Sequence, residues 1–144
     1  MSKPEAGATR TSKTALVVHP DMGSLTTFQR DLTQKGYVTI LARDIPTALL
    51  AITQHYLDVA IVSSKLGEGG DGWPLAGVLH MVFPKAFVAV IAPETSVLTL
   101  QSAINNGVSE IYQSTANPAD IVASVVAGVG AQASQHPVKK PRVQ

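Results

Sequence analysis

Three times along this chain a short, unbroken apolar run gives way within a few residues to apolar positions spaced three and four apart; a similar run interrupted only by Thr39 and a weaker fifth repeat complete the pattern. The runs are Ala15-Leu16-Val17-Val18, Val38 to Leu41, Val59-Ala60-Ile61-Val62 and Phe87 to Ile91, with Glu110 to Tyr112 as the fifth. They are too short for helices. The runs at 59–62 and 87–91 also lack two-fold alternation, as expected of strands covered on both faces. The spaced segments read as helices. Leu25, Phe28 and Leu32 form the first stripe, with Ser24 as N-cap and Gly36 as the stop. Asp44 and Pro46 open a second helix, with Leu49, Ile52 and Tyr56 on one face. Trp73-Pro74 starts a third, whose Leu75, Val78, Leu79 and Val82 face the sheet until Pro84 stops it. Val97, Leu100 and Ile104 stripe a fourth that ends at Asn106-Gly107. Asn117-Pro118 caps a fifth, with Asp120 in its first turn and Ile121, Val122 and Val125 inward.

Five strand–helix units with tight connections and right-handed crossovers put helices on both faces of a parallel sheet. The expected architecture is α/β, a doubly wound, flavodoxin-like (βα)5 sheet in the order 2-1-3-4-5. The first and third strands are then central, so the loops after Val18 and Ser63 meet at one sheet edge, where open α/β sheets place their sites. At 144 residues and 45% hydrophobic content the chain supports one domain with a real core. The expected division is an unstructured N-terminal tail over 1–13, the domain over 14–130 and an unstructured basic tail over 131–144.

The net charge of +1 conceals a polarity. Residues 14–130 hold five Lys/Arg against nine Asp/Glu, or −4, while the two ends hold six Lys/Arg and one Glu, or +5. An acidic body with basic ends argues against a nucleic-acid-binding face, although Lys139, Lys140 and Arg142 could add weak, salt-sensitive contacts. Cysteine is absent, which excludes disulfides, thiolate metal sites and a Cys nucleophile. Residues 1–13 are polar, without the apolar centre of a signal peptide, and no stretch approaches the ~20 apolar residues of a membrane helix. A cytoplasmic location is the expectation.

Over residues 14–130 the sequence resembles the receiver domain of two-component response regulators. The resemblance rests on Ala15-Leu16-Val17-Val18 before a loop, Asp58-Val59-Ala60-Ile61-Val62 before the acceptor position, the Asp71-Gly72 turn, Ala103 with Gly107, and Asn117-Pro118 with Ile121. Receivers accept a phosphoryl group on a carboxylate, and the crowding of negative charge calls for Mg²⁺ and a lysine. On the matching segments the resemblance places the acceptor at Ser63, the acidic pair at His19 and Pro20, the hydroxyl at Ala92 and the lysine at Ser114. The aromatic switch position falls on Ile111. None of these residues suits its role, so the resemblance implies a degenerate receiver without cofactor or metal.

Carboxylates nearby offer a partial substitute. Asp21, Glu68 and Asp71 could contribute weak ion contacts, although loop carboxylates serving solubility are commoner. Asp58 stands at the far end of the third strand, roughly 16 Å from Ser63, and cannot serve. A Ser63–His19 nucleophile pair would lack an oxyanion hole and an orienting acid. Gly67-Glu68-Gly69-Gly70-Asp71-Gly72 satisfies G-x-G-x-x-G, with Glu94 at the spacing of a ribose-binding acid. Two carboxylates would stand where a pyrophosphate must approach, so a flexible turn is the better account of these glycines. His55 and His80 have no ligand partner at i+4, and Trp73 reads as a packing residue at a helix start.

The function expected from the sequence is therefore not enzymatic. It is phosphorylation-independent signalling by protein–protein interaction in a two-component-type pathway. The expected partner is another signalling protein, with a weak homodimer through helix 4, strand 5 and helix 5 as an option. Gln101, Asn105, Gln113 and Asp120 would give that face a polar, wet character. The alternative is a small-ligand or nucleotide sensor built on the loops after Val18, Ser63 and Ala92.

Overall fold

The computed structural model describes residues 12–67 and 70–134. Its elements alternate as the sequence implies: β1 (Lys13–Val18), α1 (Met22–Gln34), β2 (Tyr37–Ala42), α2 (Ile45–Gln54), β3 (Val59–Ser63), α3 (Gly72–Val82), β4 (Phe87–Ala92), α4 (Val97–Asn105), β5 (Glu110–Gln113) and α5 (Pro118–Ser134). The sheet is wholly parallel in the order β2-β1-β3-β4-β5. The first unit runs outward from the centre and the later ones step the other way, which makes the C-terminal ends of β1 and β3 the point of reversal.

The strands divide the core by alternation. Ala15, Val17, Val59, Ile61, Ala89 and Ile91 face α1 and α5, where they meet Leu25, Phe28, Leu32, Ile121, Val122 and Val125. Leu16, Val18, Ala60, Val62, Val88 and Val90 face the other way, toward Ala48 and Ala51 of α2 and Leu75, Ala76 and Leu79 of α3. β3 and β4 are buried along their whole length, which is why their sequences run apolar without alternation.

The inward faces of α1 and α5 are those expected from the sequence, but three other helices differ. In α2 the buried residues are Ala48 and Ala51, whereas Leu49 is exposed; the helix ends at Gln54, so Tyr56, expected on its inner face, lies beyond it and is exposed. In α3 Leu75 and Leu79 face the core, while Val78 and Val82 are exposed. In α4 the sheet side is Ala103 alone, and the stripe Val97, Leu100, Ile104 is 71%, 47% and 77% exposed. The physical reason is phase: these helices carry apolar residues on several sides, so a three–four spacing can be drawn along more than one face. Small alanines occupy the face that lies closest to the sheet.

The caps also adjust the boundaries. α1 is capped by Asp21 rather than Ser24, and α3 by Asp71 rather than at Trp73. The last helix continues to Ser134, beyond the boundary drawn at residue 130. The tail expectations for 1–11 and 135–144, and the carboxylate Glu68, lie outside the described residues.

Candidate functional site

Strand register assembles the site. Val18 pairs with Val62, Ser63 with Ile91 and Ala92 with Gln113, so the C-terminal ends of four strands lie side by side. His19-Pro20-Asp21 leaves β1 at this edge, Ser63 and Ala92 end β3 and β4, and Ser114 follows β5. Ile111 sits lower in β5, opposite Val90 and half-buried. Asp58 lies at the opposite edge, where its carboxylate accepts the Thr14 N–H at 2.8 Å.

The hydroxyl of Ser63 is committed to its own loop. Its Oγ donates to the Lys65 carbonyl at 2.8 Å and accepts the Lys65 N–H at 3.3 Å, and the residue is buried. His19, the neighbour that could act as a base, has its Nδ1 accepting the Asp21 N–H at 3.1 Å. Burial holds His19 below the usual imidazole value, and the Asp21 carboxylate offsets this only in part. A neutral imidazole turned to its own backbone and a serine bonded to a carbonyl do not make a nucleophile pair.

The two described carboxylates of the expected ion set are helix caps. Asp21 Oδ2 accepts the N–H and the Oγ–H of Ser24 at 2.8 and 2.9 Å, and the backbone bond is the main cause of its depressed pKa. Asp71 Oδ1 accepts the Trp73 N–H at 2.9 Å. Each carboxylate thereby satisfies an orphan donor at a helix start. Among the described residues no three His, Asp or Glu side chains gather in a metal-ligating group.

The glycines after β3 are explained by backbone geometry. Lys65 and Asp71 pair as an antiparallel bridge, Leu66 N–H donates to Gly70 at 3.1 Å, and Gly67 turns the chain with φ +83°. Gly72 N–H then donates to the Ser64 carbonyl at 2.9 Å. A Cβ on Gly72 would overlap the Ser63 carbonyl oxygen, so only glycine lets α3 begin against the end of β3. Among the described residues of this segment, the N–H groups of Leu66, Gly70 and Gly72 are used in turn and hairpin bonds, consistent with a turn rather than a phosphate cradle. Trp73 is half-buried and packs on the core, while His55 and His80 are exposed.

At the far side of the edge, Ser114 N–H donates to the Ala92 carbonyl at 2.9 Å, and its hydroxyl reaches the same oxygen at 3.4 Å. Between the β3–α3 hairpin and the β4–α4 loop lies an open cleft of about 490 Å³, lined by Lys65, Asp71, Trp73, Glu94 and Thr99 among others. Sequence reasoning missed Arg43, whose Nε and Nη2 donate to the Pro20 carbonyl at 3.4 and 3.3 Å. Local spacing carries no sign of it. The contact follows from the pairing of β1 with β2, which sets Ala42 beside Val18.

A second feature lies on the flank formed by α4, the edge strand β5 and α5. Gln101, Gln113 and Asp120 are exposed, whereas Asn105, expected on this face, lines the groove between α3 and α4 instead; Val97, Leu98, Leu100 and Ile104 of α4 are exposed as well. At 100° per residue, Val97, Leu100 and Ile104 fall within about 60° of one another, a continuous apolar stripe. The face is more apolar than its sequence suggested.

With this geometry in place, comparison with solved structures identifies the fold as that of response-regulator receiver domains. A receiver domain protein from Methanospirillum hungatei JF-1 superposes with a TM-score of 0.78 at 20% identity, over 87% of this chain and 99% of that one. A response regulator from Burkholderia pseudomallei, solved with a phosphorylated aspartic acid, calcium ion and citrate, gives 0.73 at 22% identity over 92% and 78%. The receiver domain of an HD domain-containing protein from Pseudomonas fluorescens Pf-5 gives 0.75 at 20% over 85% and 98%. No protein-family model and no curated protein matches the sequence. No helix among the described residues is long and apolar enough to cross a membrane.

Proposed function

We propose that this chain is a pseudo-receiver: a cytoplasmic, non-enzymatic signalling domain that keeps the receiver fold, does not take up phosphate and acts by binding another protein. The observation that carries this reading is the state of Ser63. At the position where the resemblance puts the acceptor carboxylate stands a neutral hydroxyl, closed onto the Lys65 carbonyl. His19 and Pro20 stand for the acidic pair, Ala92 for the hydroxyl and Ser114 for the lysine, so neither Mg²⁺ nor a phosphoryl group finds its charge partners. Output then rests on a surface, and the exposed stripe Val97, Leu100, Ile104 of α4 is the natural docking face for a signalling partner or a second copy. Capture from the native cell with the parent chain and with Leu100→Asp/Ile104→Asp tests this. The reading expects a partner retained by the parent in the absence of any phosphodonor and lost by the variant. Retention that requires acetyl phosphate contradicts it.

The cleft beside Lys65 and Trp73 favours a second reading, a small-ligand or nucleotide sensor. The chain has one tryptophan and it lines this cleft, so its fluorescence reports occupancy. Titration with nucleotides separates the readings: a saturable change in Trp73 emission with a matching rise in thermal stability supports the sensor.

A further inference from the structure

The opposite flank of α4 borders a different feature. Between α3 and α4 runs a groove of about 550 Å³, lined by Pro74, Val78, Met81, Pro84, Asn105 and Asn106. Its apolar residues are unused by the core: Met81 is 79% exposed, and Val78 is exposed beside it. His80 and the two asparagines at the end of α4 bring polar groups to the wall of the groove, with Asn106 Nδ2 already donating to the Ser102 carbonyl at 2.8 Å, and apolar and polar lining together suit an extended peptide with apolar side chains and a backbone to satisfy.

We propose that the occupant is this chain's own segment 135–144. The argument begins with where the last helix ends. α5 lies on the other face of the sheet, yet Gln132 near its end donates through Nε2 to the Lys85 carbonyl at 2.9 Å. Lys85 directly follows Pro84, one of the groove residues, so the chain leaves α5 at the mouth of the groove. Ten residues follow Ser134, a reach of about 33 Å when extended. The eight-residue step from Pro74 to Val82 along α3 covers only about 12 Å. The extended segment exceeds that step by about 20 Å, the length left for rounding the sheet edge.

The segment's own chemistry fits the channel. Gln135-His136-Pro137-Val138-Lys139-Lys140-Pro141-Arg142-Val143-Gln144 holds two prolines that favour the left-handed extended helix of three residues per turn. In that conformation Val138 and Pro141 share one edge, while Lys139 and Arg142 share another and stay in water. The +3 segment is also drawn to a body of charge −4 over residues 14–130. A short tether supplies an effective concentration on the order of millimolar, so weak contacts are enough.

Methionine oxidation by dilute peroxide tests the proposal, because Met81 lies in the groove and Met22, exposed on α1, serves as an internal control. The comparison is the 144-residue parent against Val138→Asp/Pro141→Asp, both substitutions within the proposed occupant. Half occupancy of the groove slows Met81 oxidation about twofold. The proposal expects at least that protection in the parent, independent of protein concentration, lost in the variant, with Met22 unchanged throughout. Equal Met81 rates in the two proteins overturn it. Protection that grows with protein concentration also overturns it, since a second copy is then the occupant.

Discussion

Replacing Gly72 by alanine probes the contact on which the site's geometry depends, the start of α3 against the end of β3. The added Cβ would overlap the Ser63 carbonyl oxygen and lie 2.9 Å from Val62 Cγ1 and 3.0 Å from the Ser63 carbonyl carbon. Ordinary carbon contacts lie near 3.5 Å or beyond, and two of the three obstacles are backbone atoms that cannot rotate away. Relief requires α3 to move outward, which strains the 2.9 Å bond from Gly72 N–H to the Ser64 carbonyl. Overpacking of this kind costs about 1–3 kcal/mol and the weakened bond about 1 kcal/mol more. The alanine recovers about 0.4–1 kcal/mol by restricting the unfolded chain. The net loss is about 2 kcal/mol, a Tm lowered by roughly 6–10 °C for a domain of this size. Gly130→Ala in α5 is the matched control, because a Cβ there meets nothing within 4 Å. It should stabilise by about 0.5–1 kcal/mol. Thermal and urea melts followed by circular dichroism give both numbers. A Gly72→Ala variant as stable as the parent would refute the packing described here.

The face of α4 is tested by two substitutions that the sequence stripe and the structure rank in opposite orders. Ile104→Asp should change stability by no more than about 0.5 kcal/mol in urea melts, whereas Ala103→Asp, one residue away but buried, should cost at least about 2 kcal/mol. Stability should also fall as His19 is protonated. Its folded pKa is lowered by burial, so the unfolded chain takes up the proton first. The contribution is complete above the unfolded value near 6.5 and is lost as pH drops through the folded one. His19→Gln should therefore lose less stability than the parent between pH 7.5 and 5.5, and equal losses would contradict this. Rebuilding the receiver's charge cluster as His19→Asp/Pro20→Asp/Ser63→Asp should cost about 1 kcal/mol or more without metal, by carboxylate repulsion. Thermal melts should show millimolar Mg²⁺ restoring that loss in the triple variant and leaving the parent unchanged.

The fold was legible because its signals are periodic and redundant. Ala15 to Val18 and Val59 to Val62 are short apolar runs whose length and bounding turn residues favour buried strands over helix, and glycine or proline marks most helix ends. Gly36 and Gly107, both at positive φ, follow α1 and α4 where the sequence placed their stops. Helix orientation was less legible. Val97, Leu100 and Ile104 form a sound three–four stripe, but the sheet face is chosen by close approach, which favours Ala103 over bulkier neighbours. The site positions at the sheet edge followed from strand order, since register alone carries His19, Ser63, Ala92 and Ser114 together. What these groups bond to did not follow. Asp21 and Asp71 could be suspected as ion contacts, yet the same residues precede helix starts, and capping took them. Arg43 was invisible because its partner Pro20 lies 23 residues away and adjacent only through the pairing of β1 with β2.

The most direct test of the central claim is the intact mass of the chain after incubation with acetyl phosphate and Mg²⁺. Ser63 offers a hydroxyl bonded to a carbonyl in place of a free carboxylate, and Ser114 offers no cation. The expected result is the unmodified mass, with no change in amide NMR shifts on adding beryllofluoride. A base-labile acyl phosphate on Asp21 or Asp71, or an acid-stable phosphoryl group on Ser63, would contradict it and return the domain to the phosphorylated receivers.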